Sequence, residues 1–275
     1  MKKGIIIGSC VALLMCSCAS EFNSVYKYGD NDLKYEYAKE CFAYGRFQQA
    51  TSLLEELVTM KKGTDEAQEC LYMLGMAQYC NLDYESASET FRKYGSSYPR
   101  GIFAEPAAFY VGQALYQSSP EPRLDQSTTN GAIIAYQQFL DLYPDSKLRP
   151  QAQKRIYELH DKLIQKEYLS AELYYNLGGY FGNINSNDES NYTAAIITAQ
   201  NALKTYPYCS LREEFMLLIM KSKFQLAENS TEEKRLDRYR DAEDECYGFI
   251  NEFPDSKNVE RAERYIAKCK KVIKE

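Results

Sequence analysis

Aromatic and small residues recur along this chain with a long, regular period. An aromatic stands at positions 35, 72 and 109, a small residue follows three positions later, and a second aromatic follows four positions after that. The three sets are Tyr35, Ala38 and Phe42; Tyr72, Gly75 and Tyr79; and Phe109, Gly112 and Tyr116. Offsets of three, four and seven place the members of each set on one face of an α-helix. The pattern therefore predicts a helical unit that repeats every 37 residues.

A second pattern marks the partner helix of each unit. An alanine, the residue four positions later and a proline eight positions after that recur with fixed offsets. The four sets are Ala87, Phe91 and Pro99; Ala132, Tyr136 and Pro144; Ala195, Ala199 and Pro207; and Ala242, Cys246 and Pro254. An aromatic precedes each proline, and such a pair predicts a helix end, because proline lacks an amide hydrogen and disfavours helical backbone before it. The first unit has Lys62 where this proline would stand.

These marks resemble the tetratricopeptide repeat. The second unit fits it most closely, through Leu71, Leu74, Gly75, Ala87, Phe91 and Pro99. The resemblance implies an all-α superhelical solenoid, since one helical pair cannot bury its apolar face alone and must stack on the next. We expect about five repeats, at about 30–62, 67–99, 104–144, 168–207 and 211–254. A further helix is predicted at about 150–166, and a capping helix at about 258–274 with an apolar stripe on a polar helix.

In this repeat family, the first helix of each unit lines a concave groove. The groove positions of the first three units are Tyr35, Lys39, Phe42, Tyr72, Met76, Tyr79, Phe109, Gln113 and Tyr116. Six of the nine are aromatic, and such rings offer both contact area and specificity to an extended peptide. We therefore predict a peptide-binding groove at these positions. The alternative is that the rings pack on one another or beneath the N-terminal segment.

The N-terminal segment has the pattern of a targeting signal. Lys2 and Lys3 precede an apolar run over 4–15 that is too short to span a membrane, which is typical of a secretory signal peptide. The run ends in a sequence similar to a bacterial lipobox, so residues 1–17 are predicted to be removed and Cys18 to carry acyl chains such as palmitate. Cys16 is the weaker candidate, and ordinary cleavage without lipidation is the alternative. A lipidated tether over 18–29 would hold a solenoid over 30–275 at the outer membrane, facing the periplasm.

The amino-acid composition limits the kinds of functional site and partner that are expected. The net charge is −6 and the isoelectric point is about 5.2, which argues against a nucleic-acid partner. His160 is the single histidine, so a histidine-based metal site or a catalytic triad is not expected. We therefore predict no catalytic residues, no metal and no cofactor, and a protein that is not an enzyme. Six cysteines follow the anchor, as buried thiols or as disulfides: Cys41, Cys70, Cys80, Cys209, Cys246 and Cys269.

One ordered run gives a more specific resemblance. It comprises 162–167, Tyr174-Tyr175, Gly178-Gly179-Tyr180, Ala194-Ala195-Ile196 and Tyr206-Pro207. Together with the lipobox, this run is similar to the BamD family of outer-membrane assembly lipoproteins. The chain departs from that family in a long loop at 182–192 and in Lys62.

The BamD resemblance implies a set of partners. Members scaffold the BamA β-barrel insertase through its POTRA domains, associate with other assembly lipoproteins, and receive the C-terminal β-signal of unfolded outer-membrane proteins. Two other classes stay open. One is a repeat scaffold of another envelope complex. The other is a SusD-like nutrient-binding lipoprotein, against which the absence of tryptophan and the short chain argue.

Overall fold

The computed structural model describes residues 21–178 and 190–274. The predicted signal peptide, the lipid-attachment residue Cys18 and most of the predicted loop at 182–192 lie outside the described residues. Within those residues every regular element is an α-helix. The helices are α1 (21–28), α2 (Asn31–Ala43), α3 (Phe47–Met60), α4 (Ala67–Cys80), α5 (Tyr84–Ser97), α6 (Ala104–Ser118), α7 (Ser127–Leu142), α8 (Arg149–Leu177), α9 (Asn191–Thr205), α10 (Arg212–Glu228), α11 (Glu232–Glu252) and α12 (Val259–Lys274).

The chain divides into two compact units, where the sequence pattern predicted one array over 30–275. Unit 1 comprises the described residues up to Pro120 together with Gln126–Leu159, and unit 2 comprises Glu121–Asp125 and the described residues from His160 onward. In unit 1, α2 to α7 each pack on the next helix along the chain, and in unit 2 the same holds for α9 to α12. This neighbour-on-neighbour packing is the arrangement expected of stacked helical repeats, and it confirms the predicted all-α repeat fold.

Small residues hold the paired helices close together. A Cβ atom built on Gly75 would lie 2.7 Å from the ring of Phe91, and one built on Gly112 would lie 2.7 Å from the ring of Tyr136. Both distances are far inside ordinary van der Waals contact, so only glycine fits at these crossings. Each aromatic is the residue four positions after the repeat alanine. The two sequence columns are therefore the two sides of one contact.

The aromatic–proline pairs end their helices in a common conformation. Helices α5, α7, α9 and α11 stop directly before Tyr98, Tyr143, Tyr206 and Phe253. The φ angles of these four residues lie between −133° and −126° and their ψ angles between 63° and 66°, outside the helical region that a following proline disfavours. In the first repeat, which lacks the proline, α3 ends at Met60 and Gly63 adopts a φ of 90°. Glycine there supplies the change of direction.

Two of the loops that follow these prolines contain a serine with the same pair of hydrogen bonds. The hydroxyl of Ser146 donates a hydrogen bond to Glu105 in the first turn of α6 and accepts one from the amide of Leu148. Ser256 makes the same pair of bonds with Glu213 and with the amide of Asn258. Each serine thereby links the loop after the second helix of a pair to a glutamate in the first turn of the first helix of that pair.

Helix α8 differs from the sequence prediction. We expected a separate helix at about 150–166 and a new repeat from 168, whereas one helix of 29 residues covers Arg149–Leu177. The physical reason is local: neither glycine nor proline occurs between Gln151 and Leu177, so nothing interrupts the backbone ladder. The helix ends before Gly178, where a Cβ atom would lie 2.1 Å from the ring of Tyr192.

The six described cysteines are all free thiols. Cys41, Cys70, Cys246 and Cys269 are buried, and Cys80 and Cys209 are partly exposed. Burial raises the pKa of the Cys246 thiol to about 12 and that of Cys70 to about 11. Thiols in such surroundings act as small apolar side chains.

Candidate functional site

Three of the nine predicted groove residues are buried. Tyr35, Phe109 and Gln113 are 6%, 3% and 6% exposed. The seven-residue spacing does place Phe109 and Tyr116 on one face of α6, but the ring of Phe109 packs edge-on against Tyr136 and Phe139 of α7. The prediction that Tyr35, Phe109 and Gln113 face a ligand is therefore wrong, because the neighbouring elements cover that part of the face.

Tyr35 is also held by charge. Lys39 and Lys61 lie over its ring, with their Nζ atoms 4.9 and 5.5 Å from the ring centroid. Burial and a hydrogen bond to Glu69 raise the pKa of the Tyr35 hydroxyl well above its usual range. Lys39 itself is partly exposed and pairs with Glu36 at 3.4 Å. Its described contacts therefore lie within α2 itself.

Tyr72 belongs to a cluster of rings. Its ring stacks on Phe103 with centroids 4.5 Å apart and planes at 6°. It also contacts Phe91 and Tyr94. Burial raises the pKa of the Tyr72 hydroxyl to about 12. For this position, the alternative that the rings pack on one another describes the structure.

Phe42 and Met76 are partly buried. The ring of Phe42 packs edge-on against Phe47 at 5.5 Å and borders the core of the first helices. Met76 packs against the apolar cluster around Phe91 and Tyr94. Both side chains contribute mainly to the core that positions the neighbouring rings.

Tyr79 lies at the edge of this core and reaches polar partners. Its ring packs edge-on against Tyr84 and Tyr110, at 5.4 and 5.3 Å. Its hydroxyl accepts hydrogen bonds from the side-chain amides of Gln113 at 3.3 Å and Gln117 at 3.4 Å. The carbonyl of Gln113 in turn accepts a bond from the hydroxyl of the buried Tyr136, at 2.8 Å. Gln113 therefore holds the Tyr79 hydroxyl in place through a hydrogen bond, and Tyr136 holds Gln113 in turn.

Tyr116 is joined to two residues that sequence analysis did not select. Its hydroxyl donates to Glu158 at 2.8 Å and accepts from Arg155 at 3.0 Å, and the guanidinium of Arg155 lies 4.3 Å from its ring centroid. Arg155 also bonds Glu158 at 2.8 Å. The hydrogen bond from Arg155 holds the pKa of the Glu158 carboxyl below its usual range. The three-residue Arg–Glu spacing on α8 was the available signal, although nothing local indicates that the pair meets α6.

Tyr79, Tyr116, Gln117, Arg155 and Glu158 form a partly exposed set on unit 1, which we call the Tyr79–Arg155 face. The hydroxyl of Tyr136 lies within electrostatic range of both tyrosines and of the Arg–Glu pair. The face offers ring edges, amide donors and an ion pair whose charges balance. Such a surface suits recognition of an extended chain by stacking and hydrogen bonding.

The tight glycine–ring crossings and the packing of each helix on the next define a helical-repeat protein of the tetratricopeptide type. The chain belongs to the YfiO family of outer membrane lipoproteins, whose model matches residues 29–189, and the resemblance to BamD is thereby confirmed. A curated relative, the outer membrane protein assembly factor BamD of Caulobacter vibrioides, is 22% identical over 171 residues. That match covers 61% of this chain and 56% of the relative.

A solved structure, the complex of the TPR2AB domain of yeast Sti1 with a pHSP90, is 16% identical. The match covers 89% of this chain and 84% of the chain in that structure, with a TM-score of 0.40. Among the described residues, no helix is both long enough and apolar enough to cross a bilayer.

Proposed function

We propose that this chain is a non-enzymatic lipoprotein of the outer-membrane β-barrel assembly machinery. In this proposal unit 1 binds the C-terminal β-signal of unfolded outer-membrane proteins, and the chain scaffolds a BamA-like insertase through its POTRA domains. Acyl chains on Cys18 hold it at the outer membrane, facing the periplasm. Family membership supports the role of an outer membrane lipoprotein, and the name of the C. vibrioides relative, an outer membrane protein assembly factor, supports the role in assembly.

The observation that carries client binding is the Tyr79–Arg155 face. It lies wholly within residues 29–189, the range that the family model matches. Its two tyrosines are partly exposed. Buried Gln113 holds Tyr79, and Arg155 and Glu158 hold Tyr116. Rings held in place by such contacts lose little conformational entropy on binding, so they suit an extended segment with alternating apolar residues and a terminal aromatic.

The test is a titration of the purified protein with a fluorescent peptide of that pattern. We expect the Tyr79→Ala/Tyr116→Ala variant to bind the peptide at least about tenfold more weakly, which is the usual effect of truncating aromatic anchors. Tyr157→Ala is the matched control, because Tyr157 is also a tyrosine of unit 1 but is 73% exposed. We expect this control to retain the original affinity.

Two results would remove the client-binding proposal. One is unchanged affinity in a double variant whose circular dichroism shows it to be folded. The other is equal affinity for a peptide of the same composition in scrambled order, since binding would then lack the pattern that defines the signal.

Scaffolding and anchoring need separate tests. The C-terminally tagged chain, extracted from membranes in mild detergent, is expected to bring down a POTRA-containing barrel in near-equal amount. If other envelope proteins are enriched without such a barrel, the insertase-scaffold role is wrong. For the anchor, Cys18→Ser is expected to abolish incorporation of labelled palmitate, whereas Cys16→Ser retains it. The reverse result would move the anchor to Cys16.

A further inference from the structure

Helix α1 is packed on unit 1 and runs back along α2. A two-residue connection joins the two helices, so they form an antiparallel hairpin. Phe22 and Val25 of α1 pack against the buried core of α2, α3 and α4. The Nζ atom of Lys34 in α2 lies 5.7 Å from the centroid of the Tyr26 ring. The N-terminal end of α1 therefore lies toward the C-terminal end of α2.

The chain between the proposed anchor and α1 is short. Cys18 stands three positions before the first residue of α1, so its Cα atom lies within about 11 Å of that residue. The length of α1 is about 12 Å, which leaves about 8 Å to the end of the 13-residue helix α2. An acyl chain on Cys18 would therefore hold the bilayer close to the end of α2.

Two equivalent turns form the edge of unit 1 at this end. The α2–α3 turn contains Gly45 and the α4–α5 turn contains Leu82, 37 positions later, which is the period of the repeat. Their φ angles are 74° and 65°. In both turns the amide of the next residue donates to the carbonyl five positions before it, at 2.8 and 3.0 Å. Because successive repeats stack in one orientation, both turns lie at the same edge.

Leu82 is an unfavourable residue for its turn. Glycine suits a φ near 65°, whereas a side chain in this conformation crowds the backbone. The side chain of Leu82 is nevertheless 71% exposed, so packing within the protein does not compensate it. Tyr44, which directly precedes Gly45 in the equivalent turn, is 73% exposed. Strained backbone and exposed apolar side chains together are typical of a surface that binds a partner.

The charges around this edge are paired. The guanidinium of Arg46 lies 5.6 and 5.4 Å from the ring centroids of Tyr37 and Tyr44, and it bonds Glu40 at 3.2 Å. Asp83 accepts a hydrogen bond from a backbone amide in the first turn of α5, at 3.3 Å. Paired charges give little attraction to a charged protein, whereas tyrosine and leucine are both favoured at a bilayer interface.

We propose that Tyr44 and Leu82 dock unit 1 on the periplasmic face of the outer membrane by inserting their side chains into the lipid headgroup region. This inference rests on the Cys18 anchor of the proposed function. The short connection keeps the edge at the bilayer, and the side chain of Leu82 gains there by leaving water. The acyl chains fix how far unit 1 lies from the membrane, and the docked edge also fixes its orientation.

The test uses the absence of tryptophan from the chain, since one introduced tryptophan is then the sole source of indole emission. Tyr44→Trp and Leu82→Trp are the probes. Tyr157→Trp and Leu142→Trp are the matched controls in unit 1, because these side chains are 73% and 68% exposed. Leu142 ends the second helix of its pair, so it lies at the opposite edge. Each full chain is purified from membranes and reconstituted in phosphatidylcholine vesicles, with or without bromine on the lipid acyl chains.

We expect the emission of both probe variants to shift to shorter wavelength in vesicles and to be quenched by the brominated lipid. The controls should keep the emission of a water-exposed indole without quenching. Phosphatidylglycerol vesicles should give the same result, because the charges of the edge are paired.

A further variant tests Leu82 itself. Leu82→Gly should raise the melting temperature, since Gly45 adopts the same conformation in the equivalent turn. Added to Tyr44→Trp, it should weaken quenching by the brominated lipid, because one of the two inserted side chains is lost. A more stable protein that docks less well is the expected outcome.

Four results would overturn the proposal. Equal quenching of probes and controls would mean that the acyl chains alone bring unit 1 to the lipid. Quenching that requires phosphatidylglycerol would indicate general attraction by charge. Absence of quenching in a chain that incorporates labelled palmitate would remove the docking and leave the anchor in place. A chain that incorporates no palmitate would remove the anchor, and the docking with it.

Discussion

The close helix crossing at Gly112 allows a sharp test of the fold, by the substitution Gly112→Ala. The new Cβ atom would lie 2.7 Å from Cδ1 and 2.9 Å from Cε1 of Tyr136, whereas ordinary contacts begin at 3.4 Å. Tyr136 is fully buried, packs edge-on against Phe109 and donates a hydrogen bond to Gln113. Movement of this ring would disturb both contacts, including the hydrogen bond to Gln113 that supports Tyr79.

The magnitude follows from comparison with a second glycine. Overpacking of a buried contact costs about 1–3 kcal/mol, while alanine gains about 1 kcal/mol over glycine within a helix. A methyl group added at Gly95 in α5 would meet no atom within 4 Å, so Gly95→Ala receives the helical gain alone. The gain cancels between the two variants. Gly112→Ala should therefore be less stable than Gly95→Ala by about 1–3 kcal/mol.

The assay is hydrogen exchange of the protein lacking residues 1–20, followed by mass spectrometry of peptides from α6 and α7. This readout reports on unit 1 separately, which matters because the chain has two compact units. We expect faster exchange in Gly112→Ala and slower exchange in Gly95→Ala than in the unaltered chain. Equal protection in the two variants would refute the argument that the Gly112–Tyr136 contact requires glycine.

Three further predictions concern titration, reactivity and a helix cap. Burial raises the pKa of the Tyr72 hydroxyl to about 12, so the protonated hydroxyl contributes its full stability below the unfolded pKa of about 10, and this stability is lost between about pH 10 and 12. Urea unfolding at several pH values should therefore show a smaller alkaline loss of stability for Tyr72→Phe than for the unaltered chain, and an equal loss would contradict the prediction. Cys80 and Cys209 should react with iodoacetamide in the native protein before buried Cys246, and equal rates measured by peptide mapping would contradict the burial. Asp30 accepts a hydrogen bond from a backbone amide in the first turn of α2, at 2.8 Å, so Asp30→Ala should destabilise that turn by about 1 kcal/mol, whereas unchanged exchange of the α2 amides would contradict it.

Several features of the candidate site were beyond sequence reasoning. The positions of Tyr79 and Tyr116 follow from the repeat, because a seven-residue spacing needs only the period of a helix. Arg155 and Glu158 were missed, since their contact with Tyr116 joins residues about forty positions apart. The same lack of long-range information led to the wrong assignment of Tyr35, Phe109 and Gln113. A pattern identifies a helical face, but it does not show which neighbouring element covers that face.

The sequence by itself determined the helical pairs and where they end. Gly75 and Gly112 recur in the pattern of the first helix, Phe91 and Tyr136 recur in the pattern of the second, and the aromatic–proline pairs stop four helices, because these effects depend on residues that are near in the chain or on the same helical period. The tertiary structure alone decided which rings remain accessible, which charges find partners and where the two compact units separate. Those outcomes depend on the burial of one helix by another, and that burial is a property of the packed chain rather than of any local segment.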